Sequence, residues 1–229
     1  MTLANLAECE RSVRSQNGED GVIEAIFDEI GTTNKFLVEF GCEEKECNSA
    51  HLLATGWQGL LMDPFNESTD PAIDIKNEFV TAENVELLFD KYGVPQQFDL
   101  LSIDIDGNDF WVWKQVKRRP RVCVLEYNAH ISPFLRRTIR YEPSFQWQGT
   151  DYFGASLAAL AELGRHKGYT LVHCEGTGAN SFFVANECLP AGFEPRPIEQ
   201  IYRPPNYLGR GMGFRRDPTR TMIDPFQIV

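Results

Sequence analysis

The sequence predicts an α/β fold built on a mostly parallel sheet of seven strands, one of them reversed. Three observations predict it. Short apolar runs bounded by turn residues alternate with segments of helical spacing, which is the pattern of repeated strand–helix units. The runs lack a polar–apolar alternation, as strands buried on both faces do. The last two runs, 169–174 and 181–185, are joined only by the Gly-rich EGTGAN link, too short for a parallel crossover, so that pair is antiparallel.

The elements follow in order. Val22, Ile23, Ile26, Phe27 and Ile30 recur at helical spacing and stop at Gly31. Strand one is 36–40, followed by the turn GCEEKECNS. A short helix starts near Asn48, carries Leu52 and Leu53 inward and ends at Gly56. Strand two is 59–62, ending at Asp63 before Pro64. Strand three is placed near Phe79 and Val80. Asn84 caps a helix bearing Val85, Leu88, Phe89 and Tyr92. Strand four is 100–105, and its helix carries Phe110, Trp113 and Val116. Strand five is 121–127. Residues 129–153 read as an irregular insertion. A helix with Leu157, Leu160 and Leu163 stops near Gly168 and leads into strands six and seven. Residues 1–187 therefore form one domain, and 188–229 a Pro/Arg-rich C-terminal extension packing on it, with five prolines between 190 and 205.

Bulk properties narrow the function. A length of 229 residues suits a single α/β domain, and 42% hydrophobic content is enough for a packed core. No apolar stretch approaches the ~20 residues of a membrane helix, and the N-terminus lacks the basic start and apolar region of a secretory signal. Six cysteines form no C-x-x-C pair and no zinc spacing. A reducing cytoplasm is the expected compartment, without a membrane partner. The net charge of −11 argues against nucleic acid. That charge is uneven: residues 1–110 carry 23 acids and 6 bases, residues 111–229 carry 10 and 16.

The chemistry concentrates in FDLLSIDIDGNDFWVW, 98–113. Asp104 interrupts the apolar run and Asp106, Gly107, Asn108 and Asp109 close it. Carboxylates are costly to bury unless paired, hydrogen-bonded or bound to a cation. In open α/β sheets this end of the strand faces the ligand crevice. The alternative is that Asp106 and Asn108 only shape a turn and cap the helix. Glu126 and Asn128 end the neighbouring strand five, so oxygens of Asp104, Glu126 and Asn128 make a hard-oxygen set suited to Mg²⁺, or else a hydrogen-bond network without metal. His130, in the loop beyond, is a candidate general base because histidine titrates near neutrality.

SQNGED at 15–20, FLVEFGC at 36–42, GWQGLLMD at 56–63, DLLSIDIDGND at 99–109, and GASLAALAELGRHKGYTLV followed by NSFFV resemble, in order and spacing over about residues 12–187, the FkbM-type class I S-adenosylmethionine-dependent methyltransferases. The resemblance implies the Rossmann-like class I methyltransferase fold. It implies transfer of the methyl of S-adenosyl-L-methionine to a hydroxyl of a small molecule or sugar, with Mg²⁺ assistance as an option. The cofactor residues it implies are Gln16, Glu39, Gly41, Asp63, Glu83 and Asp104, with Asp104, Asp106 and His130 serving catalysis. Glu39 would sit near the cofactor's ammonium, or pair with a lysine or arginine. Asp63 would accept from the ribose hydroxyls, or cap the turn before Pro64. Ala82 and Glu83 would lie by the adenine. The sequence departs from the family after Gly41, where EEKEC replaces a second glycine. That departure keeps open an alternative: a non-catalytic nucleotide-binding or assembly module on the same fold. A nicotinamide enzyme is disfavoured because strand one runs into GCEEKE and not G-x-G-x-x-G. The arginines Arg196, Arg203, Arg210, Arg215, Arg216 and Arg220, with RRTIR at 136–140, suit an anionic acceptor, this protein's own acidic half, or a second subunit of a homo-oligomer.

Overall fold

The computed structural model describes residues 3–43, 46–70, 73–207 and 213–227. Seven strands form one sheet: β1 (Phe36–Phe40), β2 (Gln58–Met62), β3 (Ile75–Lys76), β4 (Gln97–Ile103), β5 (Arg119–Glu126), β6 (Tyr169–Cys174) and β7 (Asn180–Ala185). Their order across the sheet is β3-β2-β1-β4-β5-β7-β6. β1 to β5 run parallel, and β7 is antiparallel to both β5 and β6. The architecture is thus a Rossmann-like α/β sheet with one reversed strand. That strand is inserted between β5 and β6, so its N-terminal end lies beside the C-terminal end of β5, with Glu126 opposite Asn180.

The strands are apolar on both faces because both faces are covered. On one face, Val38, Phe40, Leu101, Ile103, Cys123, Leu125 and Phe183 join residues from three helices in one core: α2 (Val85–Lys91), α3 (Asp109–Gln115) and α4 (Leu157–Lys167). On the other, Leu37, Leu100, Val122, Val124, Phe182 and Val184 pack with Val22, Ile23 and Ile26 of α1 (Glu19–Ile30). α4 begins at Ser156, whose Oγ accepts from Ala159 N at 3.1 Å, and stops at Gly168.

The structure moves three expected elements. Strand three is Ile75–Lys76, paired with Leu61 and Met62, and not Phe79–Val80. Those two residues lie in the following loop and face a cavity, which explains their apolar character without a strand. The helix expected after Asn48 is a 3-10 turn, Ala50–Thr55. β4 begins at Gln97 and ends at Ile103, leaving Asp104 just beyond it, although Asp104 N still donates to Phe40 O at 3.0 Å.

Residues 129–153 hold neither helix nor strand. The chain from 188 onward contains one helical turn, α5 (Ile198–Ile201), and is pinned to the sheet domain along its course. Tyr127 Oη donates to Arg203 O and Tyr202 Oη to Ala129 O, each at 2.7 Å. Thr138 and Ile223 exchange two backbone hydrogen bonds of 2.9 Å. Among the described residues no helix is long and apolar enough to cross a membrane.

Candidate functional site

The C-terminal tips of β1, β2, β4 and β5 point the same way, and the reversed β7 begins at that same end. Together they floor a cavity of about 1080 Å³. Gly41 follows β1, Asp63 follows β2, Asp104 and Asp106 follow β4, Glu126 ends β5 and Asn180 starts β7; all six line it. Gln16 and Asn17, from the loop before α1, close one side, and Gln16 Nε2 donates to Glu46 Oε2 across the entrance at 3.0 Å.

The floor is crowded with carboxylates. Burial, then the charges of Asp106 and Asp109, raise the Asp104 carboxyl well above the usual range. Glu126 is raised likewise, by burial and then by Asp104, Asp106 and Asp109. The recess around Asp106, with Asp63 and Glu43 nearby, lifts its carboxyl too. Asp109 plays a different part. It is fully buried and accepts from Ile105 N and Gly107 N, both at 2.9 Å, so it anchors the turn that presents Asp104 and Asp106. Its carboxyl is pushed up to about 7 by burial. Asp106 sits at the crest of that turn with φ of 54°, a left-handed conformation that costs a non-glycine residue energy. Asn108 occupies the N-cap position of α3 without capping it. Its Nδ2 instead donates to Glu142 O at 2.8 Å.

Gly41 also lines the cavity, but packing dictates its identity. A Cβ there would stand 1.6 Å from the Asp104 carbonyl oxygen, and its φ is +74°. Only glycine lets the β1 tip cross the β4 tip this closely. Asp63 Oδ1 accepts from Phe65 N and Asn66 N at 2.8 Å each, closing the turn after β2 and leaving Oδ2 toward the cavity. The turn-capping reading of Asp63 is what these hydrogen bonds show.

Four expected site residues lie off the cavity lining. Glu39 is fully buried beneath the loop after β1. It accepts from Asn48 N at 2.6 Å, from Ser49 N at 2.9 Å and from Ser49 Oγ, and burial lifts its carboxyl to about 7. Among the described residues it pairs with neither a lysine nor an arginine. Glu83 is exposed and hydrogen-bonded to the Tyr141 hydroxyl. Phe79 and Val80 reach the cavity in its place. Asn128 is buried with its Nδ2 donating to Asp151 O (2.8 Å) and Phe153 O (2.9 Å) and its Oδ1 accepting from His130 N (3.0 Å). His130 has both ring nitrogens engaged. Nε2 accepts from Phe214 N at 2.6 Å, which leaves the proton on Nδ1, 3.0 Å from Asn128 Oδ1. Burial lowers its pKa, and its ring backs the cavity wall rather than facing the acids. That removes His130 as a general base for this cavity. With Asn128 committed to backbone carbonyls, the set Asp104, Glu126 and Asn128 does not fit a metal ion. Among the described residues no group of three or more His, Cys, Asp and Glu side chains is arranged to hold one.

Several functional residues carried no local signal. The wall opposite β1–β3 is aromatic: Trp147 and Phe214 meet at 4.5 Å between ring centroids, and Tyr207 stacks on Phe214 at 4.9 Å. Tyr207 and Phe214 come from the C-terminal extension and Trp147 from the irregular insertion, so no periodicity linked them. Ser15 is not part of the wall. Its N–H and hydroxyl donate to Asp20, a buried carboxylate that also receives Arg14 N (2.7 Å) and contacts His51.

Three arginines of the extension are spent locally. Arg196 donates to Val172 O, Arg203 to carbonyls at the end of α5, and Arg220 to Asp217 while lying over the Tyr152 ring. Arg136 pairs with Asp224. Arg216 and Arg220 border a separate cavity of about 570 Å³ that also touches His130 and Asp151. Arg210 lies outside the described residues. Among the described residues, none of the arginines lines the acidic cavity.

No protein-family model matches the chain, and no curated protein matches it.

Proposed function

We propose that this chain is an S-adenosylmethionine-dependent methyltransferase acting on a hydroxyl of a small molecule or sugar. The observation that supports the reading most is the convergence of Gly41, Asp63, Asp104 and Glu126, each at a different strand tip, on one cavity large enough for two ligands. A seven-stranded sheet with its final strand reversed is also the architecture of the group this sequence resembles.

The residues fit the cofactor. Asp63 Oδ2 is free to accept from ribose hydroxyls, while its Oδ1 holds the turn rigid. Phe65 and Phe79 flank the β2–β3 side as apolar surfaces for a base, and Gln16, Asn17 and Asn48 supply polar groups at the β1 side. When bound, S-adenosylmethionine supplies a methyl carbon made electrophilic by its sulfonium. The chain's contribution is placement, since alignment of reacting atoms accounts for much of the barrier in such transfers. Asp104, whose affinity for a proton burial raises, is placed in its ionised form to take up the single proton of the acceptor hydroxyl. No metal step is invoked.

Calorimetry with S-adenosylmethionine and S-adenosylhomocysteine tests the reading. Heat with both supports it, and neither heat nor thermal shift with either overturns it. A second reading, a non-catalytic module on the same fold, draws on the capture of Glu39 by Asn48 and Ser49. It predicts cofactor binding whose affinity is unaltered in Asp104→Asn.

A further inference from the structure

The acidic cavity has two unlike halves. The β1–β3 half carries Asp63 and the apolar Phe65 and Phe79. The half above β4, β5 and β7 carries three buried side chains whose oxygens have no partner: Asn108 Oδ1, Glu126 Oε2 and Asn180 Oδ1. Their orientations are fixed. Asn108 Nδ2 is held by Glu142 O, and Asn180 Nδ2 donates to Glu19 Oε1 at 3.0 Å and Asp104 Oδ2 at 3.4 Å, so each amide has its nitrogen committed and only its oxygen left to accept. The two amide oxygens are acceptors, and Glu126 Oε2 is one when its carboxyl is ionised.

A buried acceptor left without a donor is costly, so these three call for a ligand rich in donors. Charge points the same way. Seven carboxylates line the cavity, and among its described lining residues there is no lysine, arginine or histidine. Phosphate or carboxylate on a ligand would meet repulsion that no described lining residue offsets. Beside the acceptors stand the faces of Trp147, Tyr207 and Phe214, which suit the apolar face of a saturated ring and attract a nearby cation.

We infer that the β4–β5–β7 half of the cavity binds an amine-bearing, polyhydroxylated ring, an amino sugar or aminocyclitol, with its ammonium at Glu126 and its hydroxyls on Asn108 and Asn180. The division of the cavity into cofactor and acceptor halves rests on the methyltransferase reading. The donor-rich, cationic character of the ligand rests on the lining alone. It ranks sugar phosphates and nucleotide-linked sugars below amines as acceptors, although the arginine-rich extension suggested them.

Titration calorimetry of the full chain with glucosamine, glucose and glucose 6-phosphate, with and without saturating S-adenosylhomocysteine, decides it. Glucosamine binds about tenfold tighter than glucose, the difference between a charged and a neutral hydrogen bond, and glucose 6-phosphate binds weakest. Glu126→Gln brings glucosamine down to the level of glucose. Glucose 6-phosphate binding as well as glucosamine, or glucosamine binding no better than glucose, overturns the inference; so does a preference that survives in E126Q. The wild-type ranking decides alone if E126Q does not melt cooperatively. S-adenosylhomocysteine titrated by itself reads the methyltransferase proposal separately. Silence there with the amine preference intact removes that proposal and keeps this one.

Discussion

Asn180 joins Asp104 to Glu19: its side-chain amide donates to both carboxylates, so the first residue of β7 ties the tip of β4 to the start of α1. All three groups are recessed and the amide is their shared donor. Asn180→Leu strands Asp104 Oδ2, leaves Glu19 Oε1 with only Asn17 Nδ2 at 3.4 Å, and is expected to destabilise the protein by about 1–3 kcal/mol. Urea denaturation of the ligand-free chain measures it, and a midpoint equal to wild type would show that the bridge contributes nothing.

Gly41 and Gly31 share a positive φ, 74° and 68°, but differ in surroundings. A Cβ on Gly41 strikes Asp104 O, and one on Gly31 meets nothing within 4 Å. Gly31→Ala should therefore cost only the left-handed penalty of about 1–2 kcal/mol. Gly41→Ala must also force β1 away from β4, and it should fail to give a cooperative melt. Comparable melting temperatures for the two variants would refute this account of the β1 tip.

The buried acids set a pH dependence whose sign is fixed. Glu39, Asp109 and Glu175 are pushed up to about 7 by burial, and Asp104 and Glu126 are raised as well. Each binds its proton more tightly folded than unfolded. The stability they contribute is full below the ordinary carboxylate range and is lost as pH climbs toward about 7. Asp20, lowered to about 2, changes only at more acidic pH, and His130 and His173, lowered by burial, act the other way but are two groups against five. The melting temperature of the ligand-free protein should thus be higher near about pH 5.5 than near about pH 8. Scanning calorimetry at the two values checks it, and a rise toward the higher pH would contradict the assignment.

Asp63→Asn keeps an oxygen for Phe65 N and Asn66 N while removing the charge. Folding stability should stay near wild type and S-adenosylhomocysteine affinity should fall by about tenfold, as a charge-assisted pair of hydrogen bonds becomes neutral. Unchanged affinity would take Asp63 out of the cofactor site.

Much of the fold was legible because burial writes itself into composition. Phe36–Phe40 and Tyr169–Cys174 are apolar on both faces and their limits agree with the sequence reading. β3 was not legible, since Ile75–Lys76 pairs through backbone alone, whereas the stronger apolar signal of Phe79–Val80 reports cavity lining. The carboxylates at the strand tips were readable as acids interrupting apolar runs. What they do was less so. By type and position Glu39 looks like a cofactor contact, Asn128 a metal ligand and His130 a general base, but their partners Ser49, Asp151 and Phe214 are supplied by other parts of the chain. Asn108 and Asn180 were hidden for the same reason: an unpartnered oxygen is a property of three dimensions.

Gly213 passes directly over His130, where a Cβ would stand 1.9 Å from Nε2. This crossing lets Phe214 N reach the imidazole and turns the Phe214 ring against Trp147. Synthesis runs from the N-terminus, so every acid of the cavity leaves the ribosome well before Tyr207 and Phe214 do. A nascent chain owns the charged floor but has no wall, and a ligand can be enclosed only once the final residues have threaded over the imidazole.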